Sequence, residues 1–139
     1  MKDISEASLK VKMCPERRRL SSELEKKMTA YHEMGHALVG HMLSGTDPIH
    51  RISIVSRGMA LGFTMSRPKT DKYQQTESEL KHEMAMMLAG RASEKVIFNE
   101  LTAGASNDIE RATMIARRMV VDFGMSVLGP VSLSQMVES

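Results

Sequence analysis

The segment "SELEKKMTAYHEMGHALVGHM" carries the helical periodicity that most constrains how this chain can fold. "SELE" (Ser22–Glu25) is a capping box, in which the serine hydroxyl accepts from the Glu25 amide and the glutamate reaches back to the helix start. Gly45 and Pro48 supply stop signals after it. Between these signals, apolar residues recur at helical spacing, at Leu24, Met28, Tyr31, Gly35, Leu38, Val39 and Met42. The pattern predicts a long helix over about Glu23 to Ser44, with "HEMGH" in its middle.

The side chains available for a core are mostly aliphatic. The 139 residues fit one compact domain, and they include 14 methionines, no tryptophan and only 4% aromatics. A core of Leu, Ile, Val, Met and Ala favours packed helices. We therefore expect a mainly α fold with a small β element.

Three further elements follow the first helix. Ile49–Pro68 alternates in part and is rich in β-branched residues, which predicts two strands or a hairpin. A second capping box, "TESE" at Thr76–Glu79, opens a helix that extends to about Phe98. "TAGASN" (Thr102–Asn107) is predicted to be a loop, and a last helix should end near Gly124. We expect no helix after it.

Charge and cysteine content exclude several classes of protein. Lys and Arg total 19 against 17 Asp and Glu, so nothing in the charge balance calls for nucleic acid or an anionic membrane as partner. A single cysteine, Cys14, rules out an internal disulfide and fits a reducing compartment. No apolar run approaches the ~20 residues that span a bilayer, so we expect this chain to be soluble.

"HEMGH" places His32 and His36 four residues apart with Glu33 between them. Positions i and i+4 share one face of a helix, so the two imidazoles can bind one cation. Glu33 lies about 100° round the helix from His32, where it can reach a water molecule activated by the metal without being a ligand. This spacing is typical of metal-assisted hydrolysis.

The alternative interpretation is two ordinary helix histidines and a surface glutamate. The motif should arise by chance on the order of once in a hundred chains of this composition, and Gly35 and Ala37 leave room beside it, which favours the metal. His41, His50 and His82 share no such spacing, and we expect them to be ordinary surface or packing residues.

A catalytic zinc needs a third protein ligand and one open position. Two carboxylates are candidates: Glu94 in "GRASEKVIF" and Asp108 in "GASNDIERA". Each has an ordinary alternative, since Asp108 would favour the positive end of a helix dipole and Glu94 could lie on the polar side of its helix. Asp108 is slightly preferred because a loop-to-helix junction presents a ligand rigidly, but spacing does not decide between them.

Three separated blocks, "TAYHEMGHALVGHMLSGTDPIHRISIVSRGMALGFTM", "GRASEKVIFNELTAGASNDIERATMIARRMV" and "FGMSVLGP", resemble the proteolytic domain of FtsH-type AAA proteases. These are membrane-tethered, ATP-dependent zinc metalloproteases. The resemblance implies a helical metalloprotease domain with its hairpin beside the HExxH helix. It implies one Zn²⁺ per chain bound by His32, His36 and Asp108, with Glu33 as general base. Glu94 would then be a second-shell carboxylate that orients a histidine.

The resemblance also implies a site for substrate. A strand edge beside the cleft would pair with an extended peptide and bind its backbone, which explains low sequence selectivity. The residues that we assign to this edge are Ile52, Ile54, Gly58, Leu61 and Gly62.

By the same resemblance, the chain is expected to be part of a longer polypeptide. Residues 1–20 would be the junction from a missing ATPase module, and residues 21–139 a zinc metallopeptidase domain truncated at its C-terminus. No GxxxxGK[ST] loop occurs, so ATP would act only through the absent module. The full-length protein would be a membrane-associated homo-hexamer that degrades unfolded or damaged proteins, with no nucleic-acid partner. Its membrane contacts would lie in segments absent here.

Two other functions remain open from the sequence. One is a catalytically silent fragment that binds metal and supports oligomerisation. The other is a structural helical domain without metal. Two imidazoles and a carboxylate also suit iron, so the choice of zinc depends on the resemblance and on the hydrolytic motif.

Overall fold

The computed structural model describes residues 22–43, 46, 49–54, 63–66 and 74–137. The elements in chain order are α1 (Glu23–Met42), β1 (Ile49–Ser53), β2 (Phe63–Ser66), α2 (Glu77–Phe98), a 3-10 turn (Ala103–Ala105), α3 (Ser106–Val121) and α4 (Ser134–Val137). The predicted class is confirmed: the fold is mainly α, with a small hairpin beside the HExxH helix.

Both predicted capping boxes define the starts of their helices. Ser22 Oγ accepts from the Glu25 N–H at 3.1 Å, and Glu25 accepts from the Ser22 N–H at 3.2 Å. Thr76 and Glu79 form the same pair of bonds at 3.2 and 2.9 Å. Each box satisfies two backbone donors that the first turn of a helix leaves without partners.

The two strands form an antiparallel pair in contact with α1. Ile52 lies opposite Thr64 and Ser53 opposite Phe63, with an irregularity between Ile49 and Arg51. Residues 55–62, which connect the strands, lie outside the described part of the chain. Because the described sheet has only two strands, each strand keeps one edge without a strand neighbour there.

The fold is organised around α2, which packs against α1 on one side and α3 on another. The contact with α1 is very close at Gly35, where a Cβ would lie 2.6 Å from the Ala89 carbonyl oxygen and 2.8 Å from Ser93 Cβ. Ser93 Oγ donates to the Tyr31 carbonyl at 2.8 Å in the same region. Only glycine permits this approach, which fixes the spacing of the two helices.

The residues buried between the helices differ from those that the apolar pattern of α1 emphasises. Leu24, Leu38 and Met42 are exposed, and the buried residues of α1 include His32 and His36. The buried apolar side chains of the described residues are few and mostly small: Ala37, Leu80, Met87, Ala89, Ala105, Ala112 and Met119. The interior of the described fold is therefore partly polar.

Two predictions about the second half of the chain are wrong. Thr102–Asn107 is not a simple loop, because a 3-10 turn forms after Thr102 and α3 already begins at Ser106. A further helix, α4, follows α3, and it is held there by a bond from the Leu133 N–H to the Val121 carbonyl at 2.9 Å. A helix of four residues is too short to show a period in the sequence.

No helix in the described ranges is long and apolar enough to cross a membrane.

Candidate metal centre

His32 and His36 lie on the buried side of α1, toward α2. Their Nε2 atoms are 3.0 Å apart, and their rings meet edge to face with centroids 4.7 Å apart. The four-residue spacing accounts for this proximity, since it stacks the two side chains on one face of the helix.

Asp108 reaches the same point from the first turn of α3. Its Oδ2 lies 3.3 Å from the Nε2 of His32 and 3.3 Å from that of His36. The ligand atoms of these three residues all lie within 4.8 Å of one another, the one such cluster found among the described residues. Helical period explains the orientation of Asp108, since it shares the inward face of this segment with Ala105, Ala112, Ile115 and Met119.

The Nδ1 atom of each histidine has its own partner. His32 Nδ1 is 2.6 Å from Glu94 Oε1, and His36 Nδ1 is 2.8 Å from the Met86 carbonyl oxygen. A carboxylate and a carbonyl both accept, so each Nδ1 carries the proton and donates. In the neutral rings both Nε2 atoms must therefore be lone-pair acceptors, and both face Asp108.

Three acceptors that converge without a donor require a cation. A proton can fill that role, and the electrostatics agree. Burial would lower the pKa of His32 and of His36, but hydrogen bonding to Asp108, with other bonds and charges, outweighs burial and raises the pKa of both. Burial would likewise raise the pKa of Asp108, but its bonds to the two histidines hold that pKa well below its usual range.

A metal ion fits the same position. Two imidazole nitrogens and a carboxylate oxygen are a donor set for zinc or iron. The wall of the site is the backbone of α2 at Gly90, where a Cβ would lie 2.6 Å from the Nε2 of His32 and of His36. The absence of a side chain at this residue leaves the space between the two nitrogens open.

Glu94 is buried at 2% exposure, in contrast to the polar-side alternative considered for it. Besides His32, its carboxylate contacts Thr102, whose backbone N–H donates to Oε2 at 2.9 Å and whose hydroxyl donates to Oε1 at 3.1 Å. It does not join the cluster of three ligand atoms. Its spacing from Met87 and Gly90 is the signal in the sequence that it faces inward.

Glu33 is 7% exposed, and its charge contributes to the raised pKa of His32. It therefore lies beside the cluster, as its position in the helix predicts. Sequence reasoning missed the Met86 carbonyl, Gly90 and Thr102. A backbone acceptor leaves no signal in a sequence, whereas Gly90 and the small residues beside it can be read directly from the sequence.

Among the other residues singled out in the sequence, none that the structure describes belongs to this group of three ligand atoms. Ile52 lies in β1 and Ile54 directly after it, while Gly58, Leu61 and Gly62 fall outside the described residues. His41 is exposed and His82 half-buried, and neither belongs to a metal-binding group in the described chain. The side chain of His50 is not described.

A mainly helical domain in which one helix of a packed pair carries HExxH, with an acidic residue from another helix beside the two histidines, is typical of zinc metallopeptidases. The chain belongs to peptidase family M41, whose description matches residues 19–139. This confirms the resemblance to FtsH-type proteases.

Several curated relatives are similar over nearly the whole chain. An ATP-dependent zinc metalloprotease FtsH of Rubrobacter xylanophilus is 51% identical over 97% of this chain and 21% of the relative. FtsH 3 of Petrotoga mobilis is 51% identical over 95% of this chain and 21% of the relative. FtsH 1 of Conexibacter woesei is 52% identical over 92% of this chain and 20% of the relative. The chain spans about a fifth of the length of the curated relatives it matches.

The pKa shifts predict that the stability of the metal-free fold and the additional stability given by zinc change with pH in opposite directions. In metal-free protein the raised histidine pKa values stabilise the fold fully below the unfolded value of about 6.5, and this contribution is lost as pH rises through the folded values. The lowered pKa of Asp108 adds stability above its unfolded value of about 3.9, lost as pH falls through the folded value. Zinc competes with protons, so its stabilisation should grow with pH.

Thermal unfolding between pH 5.5 and 8.5, with a chelator or with zinc, measures both trends. We expect the midpoint of metal-free protein to fall with pH and the shift caused by zinc to rise. Asp108→Asn removes the anion that raises both histidine pKa values, and it should flatten the metal-free trend. A metal-free midpoint that rises over this range would contradict the assignment.

Gly90→Ala should abolish or strongly weaken metal binding without removing a ligand. The methyl group would lie against both Nε2 atoms, and we expect a loss of about 100-fold in zinc affinity, the upper end of the range for residues around the ligands. Alanine favours helix by ~1 kcal/mol over glycine, so α2 should persist in circular dichroism. Competition with a chromophoric chelator measures the affinity, and Ala92→Leu on the exposed side of α2 is the control. Unchanged affinity in Gly90→Ala would show that the ion lies elsewhere.

Proposed function

We propose that this chain is the zinc-dependent endopeptidase domain of an ATP-dependent protease and hydrolyses peptide bonds of unfolded or damaged proteins. The observation that supports this most directly is the convergence of His32 Nε2, His36 Nε2 and Asp108 Oδ2 next to the buried Glu33. The names of the relatives, which include zinc and ATP dependence, support the same assignment.

In this proposal His32, His36 and Asp108 hold one zinc ion. Three protein ligands leave an open coordination position, as catalytic zinc sites require. Zinc supplies Lewis-acid chemistry: it polarises a carbonyl and lowers the pKa of water. The relatives favour zinc over iron, for which the donor set is also suitable.

The protein groups would divide the remaining work. Glu33 accepts the proton of the attacking water and then delivers it to the leaving amine, as a general base and acid. Glu94 and the Met86 carbonyl hold His32 and His36 with Nε2 toward the metal, through bonds of 2.6 and 2.8 Å to the opposite nitrogens. Each ring held in this way would keep its Nε2 lone pair available to a metal.

An extended substrate would bind along the hairpin. The hairpin contacts α1, and a strand edge that has no strand neighbour among the described residues would offer backbone donors and acceptors to a peptide. We assign this edge to Ile52, Ile54, Gly58, Leu61 and Gly62. Recognition through the backbone suits a protease that takes many unfolded sequences.

The role of the whole protein is proposed from the resemblance to FtsH-type proteases. Residues 1–20 would be the junction from an ATPase module and residues 21–139 the protease domain. The full-length protein would be a membrane-associated homo-hexamer whose protease domain faces a reducing compartment, and ATP hydrolysis would deliver the substrate.

A second candidate function is a catalytically silent fragment that binds metal and supports oligomerisation. Large apolar side chains are strongly exposed on this chain, among them Val96 at 80% and Val127 at 104%. Burial of such side chains against another chain would remove apolar surface from water, which is favourable. Activity, described below, distinguishes the two candidates.

Removal of Asp108 tests the metal site. We expect about one zinc per unaltered chain by elemental analysis, and loss or strong weakening in Asp108→Ala because two imidazoles alone bind zinc poorly. Glu110→Ala, an exposed change two residues further along α3, should keep its zinc. Full retention in Asp108→Ala would move the third ligand to Glu94 or elsewhere.

Replacement of the proposed base tests catalysis. Glu33→Gln should bind zinc normally and lose about 10²- to 10⁴-fold in cleavage of fluorescently labelled casein, because the amide cannot accept the proton. Glu23→Gln, on the exposed first turn of the same helix, is the control. If the zinc-loaded unaltered chain does not cleave, the silent fragment is favoured; if Glu33→Gln cleaves at the normal rate, Glu33 is not the base.

A further inference from the structure

Thr102, directly before the 3-10 turn, connects two parts of the candidate metal centre that are far apart in sequence. Its backbone N–H donates to Glu94 Oε2 at 2.9 Å, and its hydroxyl donates to Glu94 Oε1 at 3.1 Å. The same hydroxyl accepts from the Gly104 N–H at 3.3 Å. One side chain therefore contacts both the buried carboxylate and the next segment of the chain.

On the side of α2, these bonds hold Glu94, which is the hydrogen-bond partner of the proposed ligand His32. Glu94 Oε1 accepts from both the Thr102 hydroxyl and His32 Nδ1, so a continuous hydrogen-bonded chain runs from threonine to imidazole. Because Glu94 is only 2% exposed, bulk water cannot easily replace a lost donor. With a donor on each oxygen, the carboxylate has one favoured orientation, and so has the imidazole.

Toward α3, the Thr102 hydroxyl caps the 3-10 turn Ala103–Ala105. This turn runs directly into α3, whose first turn carries Asp108. Ala105 is 0% exposed, which anchors the junction against the interior. The position of the carboxylate of Asp108 thus depends on the same hydroxyl that holds Glu94.

We propose that Thr102 is a positioning residue of the metal centre: its hydroxyl aligns His32 through Glu94 and aligns Asp108 through the 3-10 turn. The inference rests on the proposed function, because it assumes that His32 and Asp108 bind the same zinc ion. Thr102 would touch neither zinc nor substrate. It would act by holding two ligands from different helices, His32 and Asp108, at a fixed distance from each other.

Three variants of the full chain isolate the hydroxyl. Thr102→Val keeps the β-branched shape and the backbone N–H but removes the hydroxyl, and Thr102→Ser keeps the hydroxyl. Thr113→Val removes a hydroxyl that bonds only to its own helix, at the Ile109 carbonyl (2.7 Å), and is the matched control. Zinc affinity is measured by chelator competition, and the visible spectrum of the cobalt-substituted protein reports ligand geometry.

The tautomer of His32 is measured in metal-free protein by nitrogen-15 NMR, at a pH where the ring is neutral. We expect the Nδ1–H tautomer in the unaltered chain and in Thr102→Ser, and a mixture in Thr102→Val. Zinc affinity should fall about 10- to 100-fold in Thr102→Val, with an altered cobalt spectrum. Both properties should be restored in Thr102→Ser and unchanged in Thr113→Val.

Normal zinc affinity and a normal His32 tautomer in Thr102→Val would overturn the proposal, as would failure of Thr102→Ser to restore them. Thermal unfolding of each metal-free variant identifies a general loss of fold, which would lower stability in Thr102→Ser and Thr102→Val alike. The NMR measurement uses no metal and no substrate. It therefore judges the role of Thr102 even if the unaltered chain proves to be inactive.

Discussion

The geometry of the candidate metal centre depends on two hydrogen bonds made on the sides of the imidazoles that face away from it. The HExxH spacing brings His32 and His36 together but leaves each ring two tautomers and freedom to rotate. Bonds from Nδ1 to Glu94 and to the Met86 carbonyl remove both freedoms. Two lone pairs 3.0 Å apart then face a carboxylate. That arrangement is stable only with a positive charge between the three groups, so the surrounding structure already selects a cation.

The packing of the helices fixes the positions of the groups that face the cation. Gly35 lets α1 approach the backbone of α2 closely, and Gly90 leaves space where the two histidines meet that backbone. The wall of the site is thus main chain of a helix rather than a flexible side chain. Sites carried on rigid elements hold their ligands more accurately than sites on loops. The third converging group is also carried on a rigid element, since Asp108 lies in the first turn of a helix packed on α2.

Local signals in the sequence predict much of this structure. The capping boxes give the starts of α1 and α2, and the HExxH spacing gives two of the three converging residues. The sequence could not separate Asp108 from Glu94, because both lie on inward faces and their roles differ only in the nitrogen of His32 that each meets, Nε2 for Asp108 and Nδ1 for Glu94. Those contacts join residues 62 and 76 positions apart, which no local period contains. The apolar pattern of α1 locates the helix but not its buried face, since His32 and His36 are buried by partners on other helices.

Because the interior is partly polar, the stability of the fold depends on a cation at the centre. Leu80, Met87 and Met119 are the only large apolar side chains fully buried in the described residues, whereas two histidines and two glutamates are buried there as well. Buried polar groups stabilise a fold only while their partners are in place. A cation at the centre supplies the partner that the three convergent acceptors lack, so part of its binding free energy is folding free energy. A substitution of one of the three convergent groups then weakens helix packing together with metal binding. Comparison of metal-free and zinc-loaded protein separates the two effects, because weaker helix packing lowers the stability of both forms, whereas weaker zinc binding removes only the stabilisation by zinc.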